Sequence, residues 1–238
     1  MENFKIREGG FKEIRNALLI KAIPISLLAA SAGLAISHFN SNGQPDDVNV
    51  LPYVIPMMLA AMAFGLYRGV NRQKVIFDSY KLSVDDLSIV REQHNTPTIT
   101  IDNNELTEII KKSDGGFVIK GNSAVNVIAV PAQINEIEKL EKLLAEKKPI
   151  STQSNESFLQ KYNRILSLFT IGLMVIVYTD KDKIVVGICG TVLLMLLGYS
   201  FYETQRSKNI DNKTKKGMWW LILVTASIIG VMYFKLTT

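Results

Sequence analysis

The sequence predicts a membrane α-helical bundle of five spans carrying one small cytosolic α+β domain, an antiparallel β-barrel or sandwich with a C-terminal capping helix. Three observations predict it. Five apolar runs, Ala17–Ser37, Val50–Val70, Ile165–Tyr178, Ile184–Tyr202 and Met218–Phe234, approach the roughly 20 residues that carry a helix across a bilayer, the third being short. Between the second and third runs lies a polar stretch of short alternating segments. Basic residues gather at alternate ends of the runs. The expected division is residues 1–73 for the N-terminal tail and first two spans, 74–150 for the domain, 151–162 for a polar linker, and 163–238 for the last three spans.

Taken in order, the N-terminal tail holds Lys5, Arg7, Lys12 and Arg15. The first run contains Pro24 and a face of small residues, Ala22, Ser26, Ala30 and Gly33. Ala30-Ser31-Ala32 after a basic start also fits a cleaved secretory signal, but the run continues to Ser37, contains Lys21 and follows a long polar leader. An uncleaved span is therefore expected. The loop His38–Asn49 has no Lys or Arg and holds Asp46 and Asp47. The second run carries Pro52, Pro56 and the small residues Ala61, Gly65 and Gly69. Pro56 is expected to bend it.

From Val75 the pattern alternates and is broken by turns. Strands are expected over Val75–Val84 and Leu87–Glu92 around Asp85-Asp86, then over Thr98–Ile101, Glu105–Lys112, Phe117–Lys120 and Asn126–Val130. Asp114-Gly115-Gly116 and Asn122–Ala124 supply turns. Ile134, Ile137, Leu140 and Leu144 then recur at helical spacing, predicting an amphipathic helix over Ala132–Lys147. The polar linker Ser151–Ser157 follows.

The third and fourth spans are joined by the short Thr179–Lys183 loop, and Cys189 lies within the fourth. The fourth and fifth are joined by the basic loop Glu203–Gly217, with Arg206, Lys208, Lys213, Lys215 and Lys216. The fifth span carries Ala226 and Gly230. The small-residue faces are candidates for close helix packing, either within the chain or in a homo-oligomer, the intramolecular use being favoured. The basic loop is expected to fix the orientation of the last two spans, with Trp219-Trp220 as an interfacial anchor. Its lesser reading is contact with the membrane surface or an acidic partner. The charge distribution predicts N-terminus in, domain in the cytosol and C-terminus out.

The net charge of +5 has this topological origin, so nucleic acid is not an expected partner. One cysteine forms no internal disulfide, and the two histidines, His38 and His94, fall on opposite predicted sides of the membrane. No metal site, cofactor or catalytic constellation is expected. No Asp, Glu or His stands in the middle of a span, which argues against ion-coupled transport.

The order of short strands and a closing helix resembles a bacterial pleckstrin-homology-like domain of the YcxB-like kind. The matching pieces are Tyr80-Lys81-Leu82-Ser83, Ile109-Ile110, Phe117-Val118-Ile119 around Asp114-Gly115-Gly116, and the Val130-Pro131 step into a Glu/Lys-rich helix. The chain lacks the tryptophan often found before the central hairpin. The resemblance implies a bacterial cytoplasmic (inner) membrane location and a binding module rather than an enzyme. Lipid head-group binding by the first hairpin is disfavoured, because its turn is Asp85-Asp86 with only Lys81 and Arg91 nearby. The expected function is a membrane scaffold binding another protein. The alternatives are an immunity protein against a membrane-inserting toxin and a small transporter or lipid-handling protein.

Overall fold

The structure, a computed structural model, describes residues 1–41, 51–123, 125–152 and 163–237. The Asp46-Asp47 loop, Ala124 and most of the polar linker lie outside the described residues. The chain divides into two units. One comprises Met1–Ala17, Gly69–Glu156 and Thr204–Gly217, and the other comprises Leu18–Arg68, Ser157–Glu203 and Met218–Thr238.

The first unit is built on two four-stranded sheets. Its strands are β1 (Glu2–Lys5), β2 (Lys81–Val84), β3 (Ser88–Glu92), β4 (Ile99–Asp102), β5 (Glu108–Lys111), β6 (Phe117–Lys120), β7 (Val127–Val130) and β8 (Ile150–Ser151). One sheet has the order β1-β2-β3-β4, all antiparallel. The other has the order β7-β6-β5-β8, with β8 parallel to β5. Helix α3 (Ile137–Lys147) puts Leu140 and Leu144 into one core with both sheets, and Phe4, Leu82, Ile89, Ile101, Ile109, Phe117 and Ile119 are all essentially sealed from solvent.

This unit reaches beyond the 74–150 segment. Phe4 is 1% exposed, and β1 registers Glu2–Lys5 against Val84–Lys81, so the N-terminal tail is a sheet strand. The strand expected from Val75 is instead the end of a helix. Helix α2 runs Leu51–Asp78, and Arg72 and Ile76, spaced by four, are half-buried and buried while Val75 is exposed. The β-branched Val75-Ile76 pair fits a strand locally, but the face buried against the unit has helical period. Helix α3 starts five residues later than its periodicity implies. Ile134 is held in a bridge to Ile6, and Glu136 takes a left-handed φ of 49°. Ser151 belongs to β8 rather than to the linker.

The β5–β6 turn explains its glycines. Gly115 has φ 89°, a conformation that L side chains rarely adopt. A Cβ on Gly116 would lie 2.5 Å from the Val130 carbonyl oxygen. Asp114 closes the turn by accepting from the Gly116 amide at 3.0 Å.

The second unit holds most of helix α1 (Gly10–Ser41) and of α2, together with α4 (Asn163–Thr179), α5 (Lys183–Arg206) and α7 (Leu221–Thr237). The short α6 (Asn212–Gly217) precedes α7 across a turn of 3-10 helix. Four helical stretches, Gly10–Ser37, Pro52–Asp78, Lys183–Arg206 and Asn212–Thr237, are long and apolar enough to cross a membrane. The apolar α4 is shorter, at 17 residues. A helical membrane part with a small α+β unit is thus what the sequence builds.

Within that second unit α4, α5 and α7 meet around Leu173, Val177, Leu193 and Ile228, with Cys189 half-buried beside them. Lys235 closes the C-terminus of α4, donating to the carbonyls of Val177, Tyr178 and Asp180 at 3.0, 2.8 and 2.7 Å. Those are carbonyls that a helix end leaves without a partner.

Candidate functional site

Two features of the β-sheet unit stand out, a buried polar anchor and a rigid hairpin tip. The anchor fastens the Thr204–Gly217 segment to the sheets. Arg91 follows Ile89 on the inward face of β3 and is 1% exposed. Its guanidinium donates to Thr96 Oγ1 at 2.6 Å, the Lys208 carbonyl at 2.9 Å, Asn209 Oδ1 at 3.2 Å and Gln93 Oε1 at 3.3 Å. These acceptors are all uncharged, so burial pulls the Arg91 pKa down. Tyr80, beside it, is pushed up by burial and donates to the Ala129 carbonyl at 3.0 Å.

The segment makes further bonds of its own. Lys208 Nζ donates to Asn126 Oδ1 at 2.8 Å, and Asn209 Nδ2 to the Val127 carbonyl on the β7 edge at 2.8 Å. Asp211, 5% exposed, caps α6 by accepting from the Lys213 and Thr214 amides at 3.1 Å, and it pairs with Arg72 of α2. Burial opposes its charge. The Thr214 hydroxyl, Arg72 and the Thr214 amide outweigh that and hold the carboxyl below the usual range.

The basic loop is therefore a docked strap. Lys208 spends its side chain and carbonyl on the sheets, while Lys213 and Lys216 are exposed and Lys215 is half-buried. Sequence reasoning missed Asp211, whose signal was an N-cap residue before a short helix. It counted Arg91 only as a base near the first hairpin turn. Alternation with Ile89 points that side chain inward.

The hairpin tip lies one strand beyond the end of α2, about 13 Å along β2. Asp85 Oδ1 accepts from the Leu87 and Ser88 amides at 2.9 and 2.7 Å, an aspartate-closed turn. Asn103 binds across it, its amide donating to the Leu87 carbonyl at 2.9 Å and its side chain to the Asp86 carbonyl. Lys147 at the end of α3 reaches the Asp85 carbonyl at 2.5 Å and Asn103 Oδ1 at 3.1 Å. Leu87 nevertheless stands 80% exposed. Lys81, the other base near this hairpin, is engaged with Glu92 at 3.4 Å.

The predicted packing residues separate. Ala22, Ser26 and Ala30 lie on a half-buried stripe of α1. Gly33, Ala61, Gly65, Gly69, Ala226 and Gly230 are exposed, and nothing lies within 4 Å of a Cβ placed on Gly33, Gly65, Gly69 or Gly230. On α7 the contact runs through Ile228. The close approach falls instead at Gly190, where a Cβ would meet the Met232 side chain. An open groove of about 310 Å³ between α5 and α7 is lined by Leu197, Phe201, Leu221, Thr225 and Ile229 among others. The hydroxyls of Thr170, Thr191 and Thr225 donate to carbonyls one turn back in their own helices. Among the described residues, no group of three or more His, Cys, Asp or Glu is placed to hold a metal, and His94 is exposed.

No family model, curated protein or solved structure matches this chain.

Proposed function

We infer that this chain is a non-enzymatic integral membrane scaffold whose β-sheet unit binds another protein. The observation that carries this reading is Leu87. The unit seals Leu82, Ile89, Ile101, Ile109, Phe117 and Ile119 in its core, yet holds Leu87 out at a hairpin tip fixed from three sides. A pre-ordered apolar side chain loses little entropy on docking, and full burial of a leucine contributes about 1.5–3 kcal/mol. Asp86 flanks it, so the complementary surface is an apolar pocket with a basic rim.

The succession of antiparallel strands β2–β4 and β5–β7 closed by α3 supports the pleckstrin-homology-like reading, with β1 and β8 as additions. The apolar α4 supports a fifth span, about 25 Å long at 1.5 Å per residue. Placement in a bacterial inner membrane, with the N-terminus and sheets in the cytosol and the C-terminus out, follows from the resemblance and the charge alternation. Transport or lipid handling would require polar groups facing a pathway; of the candidates Ser26, Ser31, Ser167, Thr170, Thr191 and Thr225, the three threonines bond back to their own helices.

The test is capture from native membranes in lipid particles by the wild-type chain and by Leu87→Asp. Loss of a stoichiometric protein partner at unchanged thermal stability is expected. Equal capture by both, or lipid alone with the wild type, overturns the reading.

A further inference from the structure

The charges of the sheet-bearing unit that stand nearest its apolar helices form a second surface. Phe11 of α1 and Phe77 of α2 pack as a tilted pair with ring centroids 6.0 Å apart. From this pair each helix leads toward its apolar run, through Lys12 and Arg15 in α1 and through Lys74 and Arg72 in α2. Glu8 and Asp78 lie on the other side of the pair. Arg72 reaches Asp211 and the Thr214 hydroxyl, which brings α6, with Lys213 and Lys216, to the same level. Three chain segments thus contribute cations to one collar.

Two acids of this unit near the collar are already engaged. Glu13 pairs with Arg7 at 2.6 Å and Asp211 with Arg72. Lys12, Arg15, Lys74, Lys213 and Lys216 are exposed and, among the described residues, enter no ion pair. Each stands within a few residues of an apolar helix, and Lys216 is followed directly by Gly217, Met218 and the exposed Trp219-Trp220. Along the chain, these cations immediately flank helical stretches that are long and apolar enough to cross a membrane. Residues that flank a span in this way, tryptophan included, meet the phosphate layer of a bilayer.

We propose that Lys12, Arg15, Lys74, Lys213 and Lys216 form a collar that retains anionic phospholipid headgroups against the sheet-bearing unit. The collar is distinct from the Leu87 tip and does not depend on it. Each engaged cation gives roughly a five-fold preference for an anionic over a zwitterionic lipid, since a charge near such a surface is worth about 1 kcal/mol.

The full chain is reconstituted in an equal mixture of phosphatidylglycerol and phosphatidylcholine and re-extracted in small lipid particles, and the lipid ratio is read by mass spectrometry. The wild type is expected to enrich phosphatidylglycerol at least five-fold at low salt, with the ratio falling toward one at molar salt. Replacing all five cations by glutamine is expected to erase the enrichment at unchanged circular dichroism. A wild-type ratio near one, or enrichment that survives high salt, overturns the proposal whether or not the variant folds. Displacement of the lipid by inorganic phosphate at constant ionic strength would instead identify a soluble-anion site and overturn it too.

Discussion

Arg91→Ala is expected to release the strap formed by Ser207–Gly217 while leaving the sheets folded. The guanidinium makes two short bonds, to Thr96 Oγ1 at 2.6 Å and to the Lys208 carbonyl at 2.9 Å, and two longer ones. Bonds to a charged donor contribute about 1.5–3 kcal/mol each, so the short pair alone gives about 3–6 kcal/mol. Part of this is offset, because the guanidinium is buried against neutral acceptors and its desolvation is recovered when it is removed. A net loss of about 2–3 kcal/mol remains, equivalent to about 30- to 150-fold faster local opening. Amide exchange over 207–217, including the Asn212 amide that donates to the Asn95 carbonyl at 2.8 Å, reads this directly. Arg91→Lys should fall between, since an ammonium lacks the planar fork. Unchanged exchange over 207–217 would refute the anchor. Equal acceleration of the β5–β6 amides would show that Arg91 stabilises the whole unit rather than the strap.

Three further outcomes follow. The carboxyl of Asp211 is depressed in the folded chain, so its contribution is present above the unfolded value of about 3.9 and lost as pH falls through the folded value. Asp211→Asn should therefore flatten the acid limb of a pH-stability profile below about pH 4, and a limb of unchanged slope would assign it elsewhere. Gly116→Ala forces a Cβ to 2.5 Å from the Val130 carbonyl oxygen and should cost about 2–3 kcal/mol in thermal melts; a neutral result would contradict the turn geometry. Lys235→Met removes three bonds from the end of α4 and should lower the melting temperature of the detergent-solubilised chain, by about 1–2 kcal/mol of stability.

Much of the architecture was legible because it rests on periodicity. Apolar runs mark the long helices, and alternation with turn residues marks β2 through β7. Asp114-Gly115-Gly116 named its turn because only glycine tolerates a φ of 89°. What could not be read is what distant segments do for one another. The four-residue β1 has no pattern of its own and is a strand only because β2 offers an edge. The same holds for Ile134, whose helical spacing with Ile137 is overridden by its bridge to Ile6. Positive charge in the Glu203–Gly217 loop drew a topological reading and masked Asp211 within it. Spacing picked out small residues on α7, but the contact between α5 and α7 runs through Ile228 and Gly190, a pairing of volumes across two helices that neither helix encodes alone.

The most direct test of the scaffold reading is photo-cross-linking in native membranes, with a photoreactive residue at Leu87 and, as a control, at the exposed His94. A discrete protein adduct at position 87 that is absent from position 94 is the predicted result. Adducts to lipid alone at position 87, or the same proteins captured at both positions, would contradict it.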